Sequence, residues 1–416
     1  MNTARHFINF GVTLAMAILG SPLAAEEITD PTKPEPPASP AKAADAPPSP
    51  VTLTATYTAD LLSNISGNKP GVAYIDLLKV SLAYDGATAG HPGLSGLVSL
   101  EHTFGSQFTD ERIGAEQDAS GNEAQPGALR LYEAWLQQET MDGRGGVKAG
   151  FIDINSTFDV QETAALFLNG SHGLGPEFGD TGENGPSDYP ATAIAATAFY
   201  RPTETWTAQI GVFDGVAGDP RHRSAFVAVK LHGTLLIGQV EKRFADTARV
   251  EIGGWTYTAA FASLDQFDAA GLPLALHGNG GVYGLIEGRL WTPRGETERG
   301  LSGWLRLGVA NGHINEVETY LGVGLVFTGP IKGRDKDELG FALARAGFGS
   351  GARYQAALEG RNASRAETDL EATYRIAVND WLSIQPDFQY VLRPHGDIQT
   401  PNAVVAGLRL VFTYSK

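Results

Sequence analysis

From Val51 to the end of the chain, apolar and polar residues take turns over stretches of about ten positions, broken by clusters of Gly, Pro, Asn and Asp. In 317–328, Val317, Thr319, Leu321, Val323, Leu325 and Phe327 share one face, and Glu318, Tyr320, Gly322 and Gly324 the other. In 366–378, Leu370, Ala372, Tyr374, Ile376 and Val378 oppose Asp369, Glu371, Thr373 and Arg375. A period of two is the mark of an extended segment whose two sides meet different surroundings. The spacing predicts sixteen strands: 51–60, 72–84, 93–104, 129–139, 146–152, 191–200, 205–214, 233–243, 247–260, 279–291, 300–310, 317–328, 338–346, 366–378, 381–392 and 402–414. An even number suits a single-chain antiparallel barrel.

A soluble sandwich would alternate as well, so length and aromatic placement decide. Strands of ~9–11 residues suit a tilted membrane crossing, whereas soluble strands run ~5–6. Tyr84, Phe104, Tyr200, Trp291, Phe327, Trp381, Tyr390, Phe412 and Tyr414 stand near segment ends, as interfacial girdles require. The expected fold is all-β: a transmembrane antiparallel barrel of sixteen strands with an inward-folded constriction loop. That loop is 153–190, too long for a plain connection. Asp153, Phe158 and Asn169 are its candidate constriction residues, the other reading being a loop merely anchored by its aromatics. The polar, acidic stretch 105–127 reads as a solvated external loop.

The N-terminus changes the picture in another way. Arg5, an apolar run from Phe7 to Leu19 and the small residues before Glu26 form a secretory signal, with cleavage expected after Ala25. The other reading is a short hydrophobic helix. Residues 26–50 hold eight prolines from Pro31 to Pro50 and predict an extended or disordered periplasmic linker, leaving 51–416 as the barrel.

Composition agrees. The chain carries 51 glycines among 416 residues, about 12 % against an ordinary ~7 %. Mean hydropathy is −0.13, and beyond the N-terminus no apolar run reaches the ~20 residues of a membrane helix. The 31 basic and 47 acidic residues give −16, so nucleic acid is not an expected partner. Cysteine is absent, which fits an exported chain.

Several segments bear a family likeness: Tyr132-Glu133-Ala134-Trp135-Leu136, Gly150-Phe151-Ile152-Asp153, Phe167-Leu168-Asn169, Tyr189-Pro190 and Gly211-Val212-Phe213-Asp214-Gly215. The most specific are Trp381 to Tyr390 with Pro394, and Asn402 to Arg409. Spanning about 130–414 in order, they make the chain resemble the carbohydrate-selective porins of the OprB type. The resemblance implies a monomeric-type barrel passing glucose and related sugars in the outer membrane of a Gram-negative bacterium, with no cofactor. The Pro-rich segment departs from the simplest members, and 51–128 match only in general character. Implied partners are mono- or oligosaccharides, outer-membrane lipid and lipopolysaccharide, and the barrel assembly machinery, in a monomer or trimer. The final Leu408-x-Leu410-x-Phe412-x-Tyr414 pattern looks like the C-terminal recognition signal of such barrels.

A charge at mid-strand facing lipid costs ~2–4 kcal/mol for Lys or Arg, so mid-strand charges are expected in the lumen. Alternation places Lys79, Glu101, Glu133, Lys148, Glu241, Arg249, Glu251, Glu287, Arg289, Arg306, Glu318, Glu371, Arg375, Asp387 and Arg409 there. Arg249, Glu251, Glu287, Arg289 and Arg306 are the expected sugar-binding cluster, with Trp255, Tyr257 and Trp304 as stacking faces. The competing reading is that such charges pair across strands and stiffen the wall. A millimolar site is worth only ~4 kcal/mol, so a few hydrogen bonds and one stacking face suffice.

No Gly-x-Ser-x-Gly, His-Glu-x-x-His or Walker motif occurs, and Gly278 to Gly281 reads as a turn. The nine histidines are scattered without metal-ligand spacing, one of them in the basic turn Arg221-His222-Arg223. An anion-selective or general porin stands as the alternative, suggested by the lumenal arginines. An outer-membrane barrel enzyme stands behind that, for want of a nucleophile with a His partner.

Overall fold

The computed structural model describes residues 49–416 apart from 125, 219–223, 226–232, 246, 297 and 362. The signal and nearly all of the linker expected at the N-terminus, and the Arg221-His222-Arg223 turn, lie outside these residues. The strands are β1 (Val51–Ser66), β2 (Gly71–Asp85), β3 (Leu94–Gly105), β4 (Ala128–Glu139), β5 (Gly145–Ile152), β6 (Ala193–Thr203), β7 (Trp206–Asp214) and β8 (Thr234–Phe244). They continue as β9 (Ala248–Tyr257), β10 (Gly280–Trp291), β11 (Gly300–Ala310), β12 (Val317–Thr328), β13 (Glu338–Phe348), β14 (Ala366–Asn379), β15 (Leu382–Leu392) and β16 (Ala403–Ser415).

Each strand pairs antiparallel with the next, and β1 closes on β16 from Thr54 opposite Ser415 to Ser66 opposite Val404. The seventeen-member sheet is a closed sixteen-stranded barrel once the two-residue stretch Ser224–Ala225, paired parallel to β4, is set aside. Closure leaves no unpaired edge. All sixteen expected segments are strands. The first runs past its expected end at residue 60 to Ser66. There Leu61 faces outward and Leu62 is fully buried against Phe108 and Ile113. An apolar residue on the inner side breaks the alternation, which is why the pattern ended early.

The barrel's two faces differ as the period requires. Outward positions carry exposed Leu, Val, Ile and Phe, such as Leu136, Ile210, Ile252 and Phe341. Exposed aromatics stand at strand ends, where Trp291 meets Phe327 edge-on at 6.1 Å and Trp381 stacks on Phe412 at 6.2 Å. Inward positions bury Asp, Glu, Gln and Arg. Among the described residues no helix is long and apolar enough to cross a membrane.

The two ends also differ. Connections 86–93, 140–144, 204–205, 245–247, 292–299, 329–337 and 380–381 are short and share an end with both barrel termini. At the other end lie the short turn 67–70 and 106–127, 153–192, 215–233, 258–279, 311–316, 349–365 and 393–402, most of them long. Besides short helical turns, the described residues of these connections carry structure that the pattern did not announce: a small hairpin (Phe261–Phe267 with Pro273–Leu276) and a helix, α1 (Ser350–Leu358). Short turns on one side and long loops on the other is the polarity of outer-membrane barrels.

Candidate functional site

The lumen is shaped by two connections that leave the wall and turn inward. The first is 153–192, as expected from its length. Its main chain is seated on wall carboxylates. Glu287 on β10 accepts from the consecutive amides of Glu162 (3.0 Å) and Thr163 (2.6 Å). Glu371 on β14 accepts from Leu168 (2.6 Å) and Asn169 (3.1 Å) in the same manner. Paired N–H groups facing one carboxylate give two charge-assisted bonds and a fixed orientation.

The second is 106–127, and here the solvated-loop expectation is overturned. Phe108, Ile113, Ala119 and Ser120 are buried, with Phe108 at 0 % exposure. Glu367 on β14 accepts from the amides of Glu116 and Gln117, both at 2.8 Å. Asp60 on β1 accepts from Ser120 Oγ (2.6 Å) and Asn122 Nδ2 (3.0 Å), and Gln389 Nε2 donates to the Ala119 carbonyl at 2.7 Å. The polar composition that suggested solvent serves a polar wall instead.

The sequence-predicted residues fall into separate groups. Arg249 is buried among three carboxylates: Nε donates to Glu287 (2.7 Å), and Nη1 lies 2.8 Å from Glu241 and 3.3 Å from Glu251. It also donates to the Val160 carbonyl, tying the wall to the inward loop. Arg306 sits at 0 % exposure on a different pair, Asp159 (2.6 Å) and Glu177 (2.7 Å), flanked by the rings of Tyr283 and Tyr320. Side chains at Gly175 and Gly308 would overlap that ion pair. Asp159 holds a left-handed φ of 53°, a conformation kept by its surroundings. Burial pushes its carboxyl up to about 6 despite the guanidinium beside it.

Arg289 is not part of this cluster. It lies near the short-turn end and donates to the carbonyls of Glu298 and Arg299 at 3.3 and 3.1 Å, because β10 is irregular between Arg289 and Trp291. Arg375 also stands apart and pairs with Glu338 on the neighbouring strand. Arg409 makes a two-pronged contact with Asp60, both bonds 2.7 Å, and reaches Ser120 at 3.2 Å. Lys79 pairs with Glu101 at 3.3 Å and lies over the Tyr132 ring. Cross-strand pairing therefore accounts for much of the inner charge.

The three candidate stacking residues are buried against inward-loop side chains. Phe178 stacks on Trp255 at 4.7 Å, with the planes 12° apart. Tyr257 lies edge-on to Trp255 and Phe261, with Thr181 Oγ1 3.3 Å from its hydroxyl. Trp304 meets Phe167 at 5.0 Å and His172 at 5.7 Å. Burial pushes His172 down to about 3, so its imidazole is neutral.

Of the constriction residues, Asp153 accepts from Tyr132 Oη (2.7 Å) and the Asn155 amide (2.8 Å). Phe158 packs edge-on against Phe213 within the largest apolar cluster. Asn169 donates to Asp369 at 2.9 Å. Asp60, Asp159, Glu177, Glu241 and Glu367 complete these networks. Glu241 is among the charges that alternation places inside, and Asp60 and Glu367 stand in predicted strands where the same search for inward acids finds them. Asp159 and Glu177 lie in a loop and carry no sequence signal. Above the inward loops, on the long-connection side, opens a cavity of ≈ 790 Å³ lined by Asp110, Glu116, Asp118, Asp180, Glu316, Arg353 and His395 among others.

A closed barrel with a polar lining, an apolar outer belt and inward-folded loops defines an outer-membrane porin. Residues 69–414 match the family model described as carbohydrate-selective porin, OprB family, and the chain belongs to that family. It is 26 % identical over 316 residues to Porin B of Pseudomonas aeruginosa, covering 68 % of this chain and 67 % of that one. The high-pH structure of Pseudomonas putida OprB superposes with a TM-score of 0.80 at 20 % identity, over 88 % of this chain and 94 % of that one. The low-pH structure of the same protein gives 0.56 at 17 %, over 87 % and 92 %. Family and fold place the chain in the outer membrane and point to a channel rather than an enzyme.

Proposed function

We propose that the barrel lets neutral sugars, glucose and similar mono- or oligosaccharides, diffuse passively into the periplasm once residues 1–25 have been removed. The observation that carries this reading is the charge arrangement of the inner wall. Arg249 and Arg306 are neutralised by buried carboxylates, while Arg243 stands half-exposed beside Glu162 and Glu241, so donors and acceptors stand side by side without a surplus of positive charge. Adjacent sugar hydroxyls need that mixture, and weak, distributed bonding lets the solute leave as readily as it enters. In liposome swelling, glucose is expected to enter faster than an amino acid of similar size. Equal rates would defeat the reading.

The same carboxylates argue against anion selectivity, and bilayer reversal potentials test this: a chloride preference would reinstate it. The apolar belt and its aromatic girdles suit outer-membrane lipid and lipopolysaccharide, and β16 suits recognition by the assembly machinery, in a monomer or trimer.

A further inference from the structure

Three connections that share no strand meet at the rim of the outer cavity. Glu116 comes from 106–127, Glu316 from 311–316 and His395 from 393–402. His395 Nδ1 lies 2.7 Å from Glu116 Oε2, and its Nε2 lies 3.9 Å from Glu316 Oε2. One donor atom from each residue falls within 4.8 Å of the others. The grouping is built rather than incidental, because Glu367 holds two of its members. It accepts from the Glu116 amide at 2.8 Å and also from the His395 amide, whose residue takes a left-handed φ of 50°. Beside them Gln117, 1 % exposed and lining the same cavity, has a buried Oε1 that no donor among the described residues meets. Asp118 and Asp180 add two more carboxylates to the lining.

We propose that Glu116, Glu316 and His395 form a binding site for one divalent cation of the zinc type at the outer mouth of the channel. The donor set selects the ion. An imidazole nitrogen with two carboxylate oxygens suits zinc, whereas calcium and magnesium take oxygen alone. Zinc holds such donors at ~2.0–2.2 Å, which sets neighbouring donors roughly 3.4 Å apart in a tetrahedron. With a single imidazole nitrogen as donor, the three ligand atoms lie within 4.8 Å of one another, so a small side-chain movement brings them to that spacing. Glu316 is half-exposed and can swing onto the ion. A bound cation would tie three loops together and lower the negative charge of the mouth. The site is independent of what passes through the pore.

The test uses the full barrel, purified in detergent and stripped of metal. Zinc chloride titrated by calorimetry is expected to show one saturable site per chain. Glu316→Gln should weaken binding by at least about tenfold, and His395→Gln by more. Cobalt(II) serves as the spectroscopic probe, with a visible band in the parent protein that His395→Gln removes. Sugar entry and thermal unfolding of Glu316→Gln should match the parent, so this variant decides the matter even if His395→Gln folds poorly. Absence of saturable zinc binding, or equal binding in parent and Glu316→Gln, overturns the proposal and leaves an imidazole lying between two carboxylates.

Discussion

The connections 106–127 and 153–192 look unlike in sequence and behave alike in the structure. One is polar and acidic; the other carries Phe158, Phe167, Leu168 and Phe178. Both lie inside the barrel, and both present consecutive amides to a wall glutamate: Glu367 for the first, Glu287 and Glu371 for the second. They differ in what stands behind that shared device. The long loop adds a buried ion pair at Arg306 and an apolar cluster around Phe158. The shorter one leans on hydrogen bonds to Asp60, Glu367 and Gln389, with Phe108 and Ile113 as its apolar anchor. Whether a loop folds inward thus depends on the acceptors awaiting it, and its own polarity says little.

The comparison breaks most sharply at Arg306. Replacing it with Met leaves Asp159 and Glu177 buried without their cation, a loss of about 3–5 kcal/mol. Hydrogen exchange should rise across 153–192 and stay unchanged in 106–127, and single-channel conductance should increase. Exchange spread evenly over both loops would show that they seat as one unit. Asp60→Asn is the reciprocal change. It removes the charge that holds Arg409, Ser120 and Asn122, at about 1.5–3 kcal/mol, and exchange should rise in 106–127 alone.

The smallest effect comes from pH. Burial pushes the Glu123 carboxyl up to about 8 against the two bonds it accepts from Thr109, and Asp159 only to about 6. A raised carboxylate holds a proton in the seated loop that the released loop gives up. Its contribution is therefore full below the ordinary carboxylate range and lost as pH rises through the folded value. Asp159 has finished that change by neutrality. Between pH 7 and 9 the Glu123 contribution to the seating of 106–127 should fall by about tenfold, a fall that Glu123→Gln should abolish, measured as exchange corrected for its intrinsic pH dependence. An equal fall in Glu123→Gln would contradict this account.

The barrel wall was legible because lipid and lumen impose opposite demands on alternate residues, and each strand carries that record locally. β1 was read short because Leu62 turns inward to meet Phe108. Of the expected cluster of five charges, Arg249, Glu251 and Glu287 stay together while Arg289 and Arg306 stand apart, for a related reason. Alternation says which side a residue faces but not its height, so Arg289, Arg249 and Arg306 shared a face and ended in different surroundings. The burial of 106–127 left no local trace, since Glu367 and Gln389 lie some 250 and 270 positions from the residues they hold. Glu116, Glu316 and His395 were missed likewise: three loops bring together what the chain keeps far apart.

The placement of those acceptors has a consequence for the order of assembly. Segment 106–127 is made early, yet Glu367 and Gln389 lie on β14 and β15, and Asp60 is braced by Arg409 on the last strand. Until the seam between first and last strands is sewn, that segment has nowhere to sit. The longer loop can settle on Glu287 before closure, so the final stitch completes the gauge of the conduit by seating its shorter companion.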